Sequence, residues 1–153
     1  MNDNQEKNEL DLRLLRVYLN SVKSIFGVLK HDISRYGVEI GSFHILEFLY
    51  NKGPQPIQKI GEKFSIPSGS VTYAVDKLEK KDLIQRELSP EDRRSVIVKL
   101  TDTGQALFDD IFPKHTETIA DVFSVLTDEE KQQLIGLLKK TGLHAASKGN
   151  CSS

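Results

Sequence analysis

The segment from Ile84 to Thr101 constrains this chain most. Ile84, Arg86 and Leu88 alternate with polar neighbours, and Val96, Val98 and Leu100 do so again around Ile97 and Lys99. Between them lies the polar run Ser89-Pro90-Glu91-Asp92-Arg93-Arg94, whose Ser-Pro step starts a turn. Period-two alternation on both sides of a turn predicts a β-hairpin. Its neighbours repeat at the helical spacing of three and four instead. A lone hairpin must bury one face against helices, which leaves few architectures open.

The residues ahead of the hairpin narrow them further. Ile57, Ile60 and Phe64 mark a short helix, Ser65-Ile66-Pro67-Ser68-Gly69 a turn, and Val71, Val75 and Leu78 the inner face of a second helix. Pro67 suits a first helical turn, where a missing N–H costs nothing. By spacing alone this is a helix-turn-helix candidate and equally an ordinary αα corner. The order helix, turn, helix, hairpin is that of a winged helix, and the hairpin tip carries two arginines. With Val71, Val75 and Leu78 turned inward, a helical wheel places Gly69, Ser70, Thr72, Tyr73, Asp76, Lys77 and Lys80 outward.

Long helices flank this unit. Leu15, Tyr18, Val22, Phe26, Leu29, Ile33 and Tyr36 form one stripe of a helix expected over Leu10–Tyr36, roughly 40 Å long at ~1.5 Å per residue. Leu12, Leu19, Ile25 and Val28 widen the stripe beyond what one neighbour covers, so a second subunit is expected to pack there. Gly37 and Gly41 break the chain before a short buried helix over Phe43–Leu49, ended by Asn51-Lys52-Gly53-Pro54. Thr101 caps a later helix with Leu107, Phe108, Ile111, Phe112, Ile119, Val122 and Phe123 on its apolar side, and Pro113 is expected to kink it. Thr127-Asp128-Glu129-Glu130 is a capping box opening a last helix through Leu134, Leu137 and Leu138, and Ala145–Ser153 reads as a flexible tail. The expected fold is mainly α with a small β-hairpin wing. The N-terminal helix spans residues 1–36, the winged helix-turn-helix 37–100, the C-terminal helices 101–144 and the tail 145–153.

Composition excludes several function classes. The 153 residues suit one domain, and no apolar run approaches the length of a membrane span. One cysteine, Cys151, allows no intrachain disulfide and no cysteine-based zinc cluster, so a reducing cytoplasm is expected. In the expected tail its thiol would keep a near-normal pKa and make a poor redox sensor. His31, His44, His115 and His144 are scattered, without an H-x-x-x-H pair, so no metal is expected. No nucleophile elbow, phosphate loop or dinucleotide fingerprint is present. Asp109 and Asp110 point about 100° apart on a helix and cannot converge on one substrate. No catalytic residue and no cofactor are expected. Net charge is −1, but the stretch Lys52–Lys99 holds ten basic against seven acidic residues, leaving eleven basic and fifteen acidic elsewhere. The basic middle suits DNA.

At this point the chain resembles the MarR family of bacterial winged-helix regulators. The wing run Pro90-Glu91-Asp92-Arg93-Arg94-Ser95-Val96-Ile97-Val98-Lys99-Leu100-Thr101 is similar to that family's D-x-R…L-T signature. Ser68 to Lys81 is similar to its recognition helix, and Thr101-Asp102-Thr103-Gly104 to its next helix start. The resemblance covers residues 10–144 with one departure: Asp82 stands where the family usually has glycine.

The resemblance implies a homodimer, interlocked through the helices at both chain ends, that binds a roughly palindromic duplex and acts most often as a repressor. It implies that Ser68, Ser70, Thr72, Tyr73, Asp76, Lys77 and Lys80 face the major groove. Arg94 would enter a flanking minor groove, oriented by the Asp92 carboxylate, while Arg93 meets phosphate. It also implies a cleft for a small phenolic or other anionic ligand, with Phe26, His31, Phe43, His44, Phe108, Phe112 and His115 as candidate lining; as plain core, the same phenylalanines need no ligand. Phe112-Pro113-Lys114-His115 and the block Lys52–Ile60 resemble a branch that responds to quinones and other aromatic electrophiles. Peroxide-sensing relatives carry a cysteine in the first helix, which this chain lacks. The alternative reading is a winged-helix module that binds another protein and no DNA; such a module has no use for two tip arginines beside outward lysines.

Overall fold

A computed structural model describes residues 3–92 and 94–149. In chain order the elements are α1 (Asp3–Ser34), α2 (Ile40–Lys52), β1 (Gln55–Pro56), α3 (Ile57–Phe64), α4 (Ser68–Lys80), β2 (Ile84–Leu88), β3 (Val96–Leu100), α5 (Asp102–Val122) and α6 (Asp128–Gly149). Arg93, expected to meet phosphate, and Cys151, expected to have no sensing role, lie outside the described residues. The chain divides into two compact units, residues 1–116 and 117–153.

In the first unit the apolar stripes converge on one core. Phe43, Ile45, Leu46 and Leu49 of α2 meet Ile60 of α3, Val71, Val75 and Leu78 of α4, Ile84 and Val98 of the sheet, and Phe108 and Ile111 of α5. Each such side chain contributes about 1.5–3 kcal/mol by leaving water, so burial rather than helix propensity holds these short helices. The hairpin forms as its alternation predicts: β2 and β3 pair antiparallel with Ile84 opposite Leu100, Arg86 opposite Val98 and Leu88 opposite Val96. A third strand is an addition to the expected pair. β1 pairs with the other edge of β3, Gln55 opposite Val98 and Pro56 opposite Ile97, giving the order β1-β3-β2. Two residues show no period, and Pro56 is tolerated because β1 is an edge strand.

Two helix ends use left-handed residues that are not glycine. Ser65 after α3 has φ 51° and Asp82 after α4 has φ 56°. At the second, the Leu83 N–H donates to the Leu78 carbonyl at 3.1 Å and the Asp82 N–H to Glu79 at 2.9 Å, a Schellman motif with aspartate at the position glycine prefers. The side chain offsets the strain. Thr103 Oγ1 donates to Asp82 Oδ2 at 3.1 Å, and Thr101 Oγ1 donates to the Asp82 carbonyl at 2.5 Å. Asp82→Ala is therefore expected to destabilise by about 1 kcal/mol, since it keeps the Cβ and loses the carboxylate. Asp82→Gly should stay within about 0.5 kcal/mol of wild type in urea denaturation.

Thr101 caps α5 as expected, with the Gly104 N–H donating to Thr101 Oγ1 at 3.0 Å. The helix is unbroken through Pro113. α1 begins ahead of Leu10 and ends at Ser34, and only its last turns reach the core: Ile33 and Asp32 are buried. Leu10, Leu12, Leu14, Leu15, Val17, Tyr18, Leu19, Val22, Phe26 and Val28 are all exposed. At the buried end, His115 Nδ1 of α5 lies 2.8 Å from Asp32 Oδ2, and the Tyr36 hydroxyl donates to Asp32 Oδ1 at 3.0 Å. Burial, followed by the hydrogen bond to Asp32, raises the Tyr36 phenol above its ordinary value.

In the second unit the capping box is made. Thr127 N–H donates to Glu130 Oε2 at 2.8 Å, and Glu130 N–H to Thr127 Oγ1 at 3.2 Å. α6 has no buried residue, and Leu134, Ile135, Leu137, Leu138 and Leu143 are exposed. It runs on to Gly149, so the helix continues through Ala145–Gly149, the first part of the expected tail, whose remaining residues 150–153 lie outside the described residues. Ala145, Ala146 and Lys148 are good helix formers, so nothing local stops the helix at His144.

Candidate nucleic-acid interface

The two faces of α4 separate as the wheel predicts. Val71, Val75 and Leu78 are buried, whereas Ser68, Gly69, Ser70, Thr72, Tyr73 and Lys80 are exposed and Asp76 and Lys77 half-buried. The turn leading into α4 is tight because Gly61 of α3 has the Ile66 carbonyl and a Val71 methyl each 3.3 Å from where a Cβ would stand. Thr72 Oγ1 donates back to the Ser68 carbonyl at 3.0 Å, so its proton is engaged and its oxygen remains available as an acceptor.

Two charged contacts, neither expected from the sequence, hold this helix. Arg86 of β2 donates through Nη1 to Glu79 Oε2 at 2.6 Å and through Nη2 to Asp76 Oδ1, and its own N–H reaches Glu79 Oε1 at 3.2 Å. One guanidinium thus clamps two carboxylates of α4 onto the strand that carries the wing. Asp76, expected to face DNA, is half-buried and bound by this clamp. The second contact joins Lys77 Nζ to Glu39 Oε1 at 2.5 Å, across to the residue that precedes α2. The hydrogen bond to Lys77 holds the Glu39 carboxyl below its usual range, and the same bond raises the Lys77 ammonium. The visible signal for the clamp is Asp76 and Glu79 three residues apart on one helix side, a carboxylate pair that needs a cation. No sequence spacing signals the Glu39 contact.

At the wing tip, the Ser89 N–H donates to the Ser95 carbonyl at 2.9 Å, and Ser89 Oγ accepts from the Glu91 and Asp92 N–H groups at 3.3 and 3.4 Å. Asp92 Oδ1 accepts the backbone N–H of Arg94 at 2.9 Å. Among the described residues no ion pair joins Asp92 to the Arg94 guanidinium, contrary to the carboxylate–guanidinium pair expected above. An aspartate side chain readily hydrogen-bonds the backbone two residues on, so Asp92 shapes the tip while the Arg94 side chain stays exposed.

The candidate ligand residues fall into two sets. Phe43, Phe108 and His115 are buried together, with Phe43 5.1 Å from Phe108 and 4.7 Å from His115 between ring centroids. Phe112 and His44 are half-buried at the edges of this cluster, stacking near Phe108 and Phe64 respectively. Phe26 and His31 are exposed on α1. Asp109 accepts from the Tyr50 hydroxyl at 2.9 Å while Asp110 pairs with Lys114 at 2.8 Å, so the two carboxylates do diverge. Among the described residues no cluster of three or more His, Cys, Asp or Glu is placed to hold a metal ion, and no helix is long and apolar enough to cross a membrane.

Known proteins share this arrangement. The MarR family model matches residues 38–96, from just before α2 through β2 and the wing tip to the first residue of β3. The HTH-type transcriptional regulator YkoM of Bacillus subtilis is 42% identical over 93% of this chain and 92% of its own. The transcriptional regulator MhqR of the same organism is also 42% identical, over 90% and 94%. The chain belongs to the MarR family. Its relatives are transcriptional regulators, and this MarR-family chain is a regulator too and not an enzyme. Its fold is that of a mutant MarR from E. coli solved with operator DNA, at a TM-score of 0.76 and 24% identity over 88% of this chain and 96% of that one.

Proposed function

We propose that this MarR-family regulator is a cytoplasmic homodimer that binds a roughly palindromic DNA operator and represses transcription until a small aromatic, phenolic or electrophilic ligand releases it. The observation that carries the reading is the outer face of α4. Tyr73 is 70% exposed there, among hydroxyls and two lysines, on a helix whose opposite face is fully buried. A large apolar ring left in water on a cationic helix face is suited to a base edge or thymine methyl. Ser68, Ser70, Thr72, Tyr73, Lys77 and Lys80 contact the major groove, and Arg94 reaches the minor groove from the wing.

The dimer reading is supported by the exposed apolar residues of α1 and α6, which a lone chain leaves in water. On that reading residues 1–36 and 101–144 carry the dimer and 37–100 the DNA contacts. A two-fold dimer presents its recognition helices to half-sites about 34–36 Å apart. The ligand reading is supported by the aromatic cluster of Phe43, Phe108, Phe112 and His115, with His44 half-buried at its edge, while Phe26 and His31 are exposed on α1.

The test is selection of bound duplexes from a fragmented source genome at near-physiological salt, with Arg94→Ala in parallel. Wild type should enrich one palindrome, and Arg94→Ala should bind it about tenfold or more weakly at unchanged dimer mass. If a folded dimer enriches nothing, the protein-binding module is the better reading.

A further inference from the structure

The cations on the outer face of α4 do not all stand free. Lys80 is exposed, whereas Lys77 is held by Glu39, thirty-eight residues away in sequence. Glu39 is the N-cap residue of α2, with an extended backbone at φ −73° and ψ 148°, yet its side chain makes no hydrogen bond to the α2 N–H groups. A short polar side chain at that position ordinarily caps its own helix end, and the helix dipole favours negative charge there; the longer Glu39 side chain does not cap. Here it reaches out to Lys77 instead. Its side chain is 68% exposed and that of Lys77 34%. The contact is therefore at the surface, weak enough to exchange.

On the reading that α4 faces DNA, on which this inference rests, Lys77 meets a phosphate. We propose that Glu39 holds Lys77 in reserve: in the DNA-free protein its carboxylate takes the place that a phosphate oxygen takes in the complex, and binding exchanges one for the other. The free carboxylate then has a second partner waiting, the uncapped start of α2. The exchange taxes all DNA equally, because phosphates carry no sequence information. Charge-driven binding to arbitrary sequence is weakened, while base contacts at the operator offset the loss. Glu39 thus lowers affinity for every sequence by the same factor, so that arbitrary DNA falls below useful affinity while the operator stays above it, although Glu39 touches no base.

The probe is a labelled duplex of mixed sequence, about thirty base pairs long, titrated by fluorescence anisotropy at several salt concentrations. Glu39→Gln keeps the shape and removes the charge. It should raise affinity about threefold to fivefold at low salt, with the gain shrinking as salt screens the Glu39–Lys77 pair. The log–log salt slope should change by well under one, because Lys77 meets the same phosphate in both proteins. In the Lys77→Met background the same substitution should gain almost nothing, because the reserved cation is gone. An equal gain in both backgrounds would mean plain long-range repulsion by Glu39 and would overturn the proposal. A loss of affinity would overturn it too, making Glu39 an anchor for α4, as would no change. Wild-type binding unaffected by Lys77→Met, Lys80→Met and Arg94→Ala together would instead bring down the DNA-facing reading itself.

Discussion

Gly104→Ala is expected to lower the thermal midpoint by roughly 6–12 °C, the equivalent of about 3 kcal/mol for a chain of this size. A Cβ on Gly104 would stand 2.0 Å from the Leu83 carbonyl oxygen, 2.9 Å from its carbon and 3.3 Å from the Leu83 Cα. These are backbone atoms, so no side-chain rotation relieves the overlap. The carbonyl cannot swing aside freely either, because it accepts the Thr101 N–H at 3.2 Å. Moving α5 outward would break the Thr101 cap on Gly104, and caps contribute about 1 kcal/mol. It would also loosen Phe108 from the core, where that ring is fully buried. Circular-dichroism melts at one fixed protein concentration measure the shift, since association would otherwise move the midpoint. A fall of under about 2 °C would mean that the start of α5 moves without cost to the α4–β2 turn.

Arg86→Ala is expected to cut DNA affinity about tenfold to hundredfold while costing only about 1–2 kcal/mol of stability. The stability cost is small because the clamp is partly wet: the side chains of Arg86, Asp76 and Glu79 are 25%, 48% and 40% exposed. The binding cost is larger for two reasons. The guanidinium is the side-chain tie between the α4 carboxylates and β2, so its loss leaves only the Arg86 N–H bond to Glu79 and core packing there, and loosens the wing against α4. On the proposed reading that α4 faces DNA, it also leaves two uncompensated negative charges beside the phosphates. Arg86→Lys should rescue little, since one ammonium cannot reproduce a fork spanning both carboxylates. Adding Asp76→Asn and Glu79→Gln to Arg86→Ala should recover part of the affinity by removing the repulsion. Anisotropy titrations on the selected operator duplex separate these outcomes, and an Arg86→Ala protein that binds like wild type would show that the clamp does not position α4.

The elements legible in the amino-acid sequence are those whose signal lies within a few residues. Hairpin alternation, the inner face of α4, the Thr101 cap and the Thr127–Glu130 capping box all depend on neighbours one to four positions apart, and all are present. β1 is invisible in sequence because two residues carry no period; it exists as a strand only because β3 offers an unpaired edge. The far end of α6 departs from expectation because its small and polar residues resemble a tail, although alanine and lysine propagate a helix well. Asp82 stands out in sequence as a departure from glycine. Its accommodation depends on Thr101 and Thr103 coming back to the same turn, which no local pattern reveals.

The outer face of α4 and the wing tip are half legible for the same reason. The hydroxyls, Tyr73, Lys77, Lys80 and Arg94 declare themselves through residue type on a countable helix face or hairpin tip. What each charge is bound to does not follow. The clamp of Arg86 on Asp76 and Glu79 requires β2 to fold back along α4, and the Glu39–Lys77 pair requires α2 and α4 to meet at one edge of the core. Local periodicity is dictated by backbone geometry, which every residue shares with its neighbours, so it can be read along the chain. Ion pairing depends on distances between residues far apart in sequence, and only packing of the shared core brings those side chains within reach of each other.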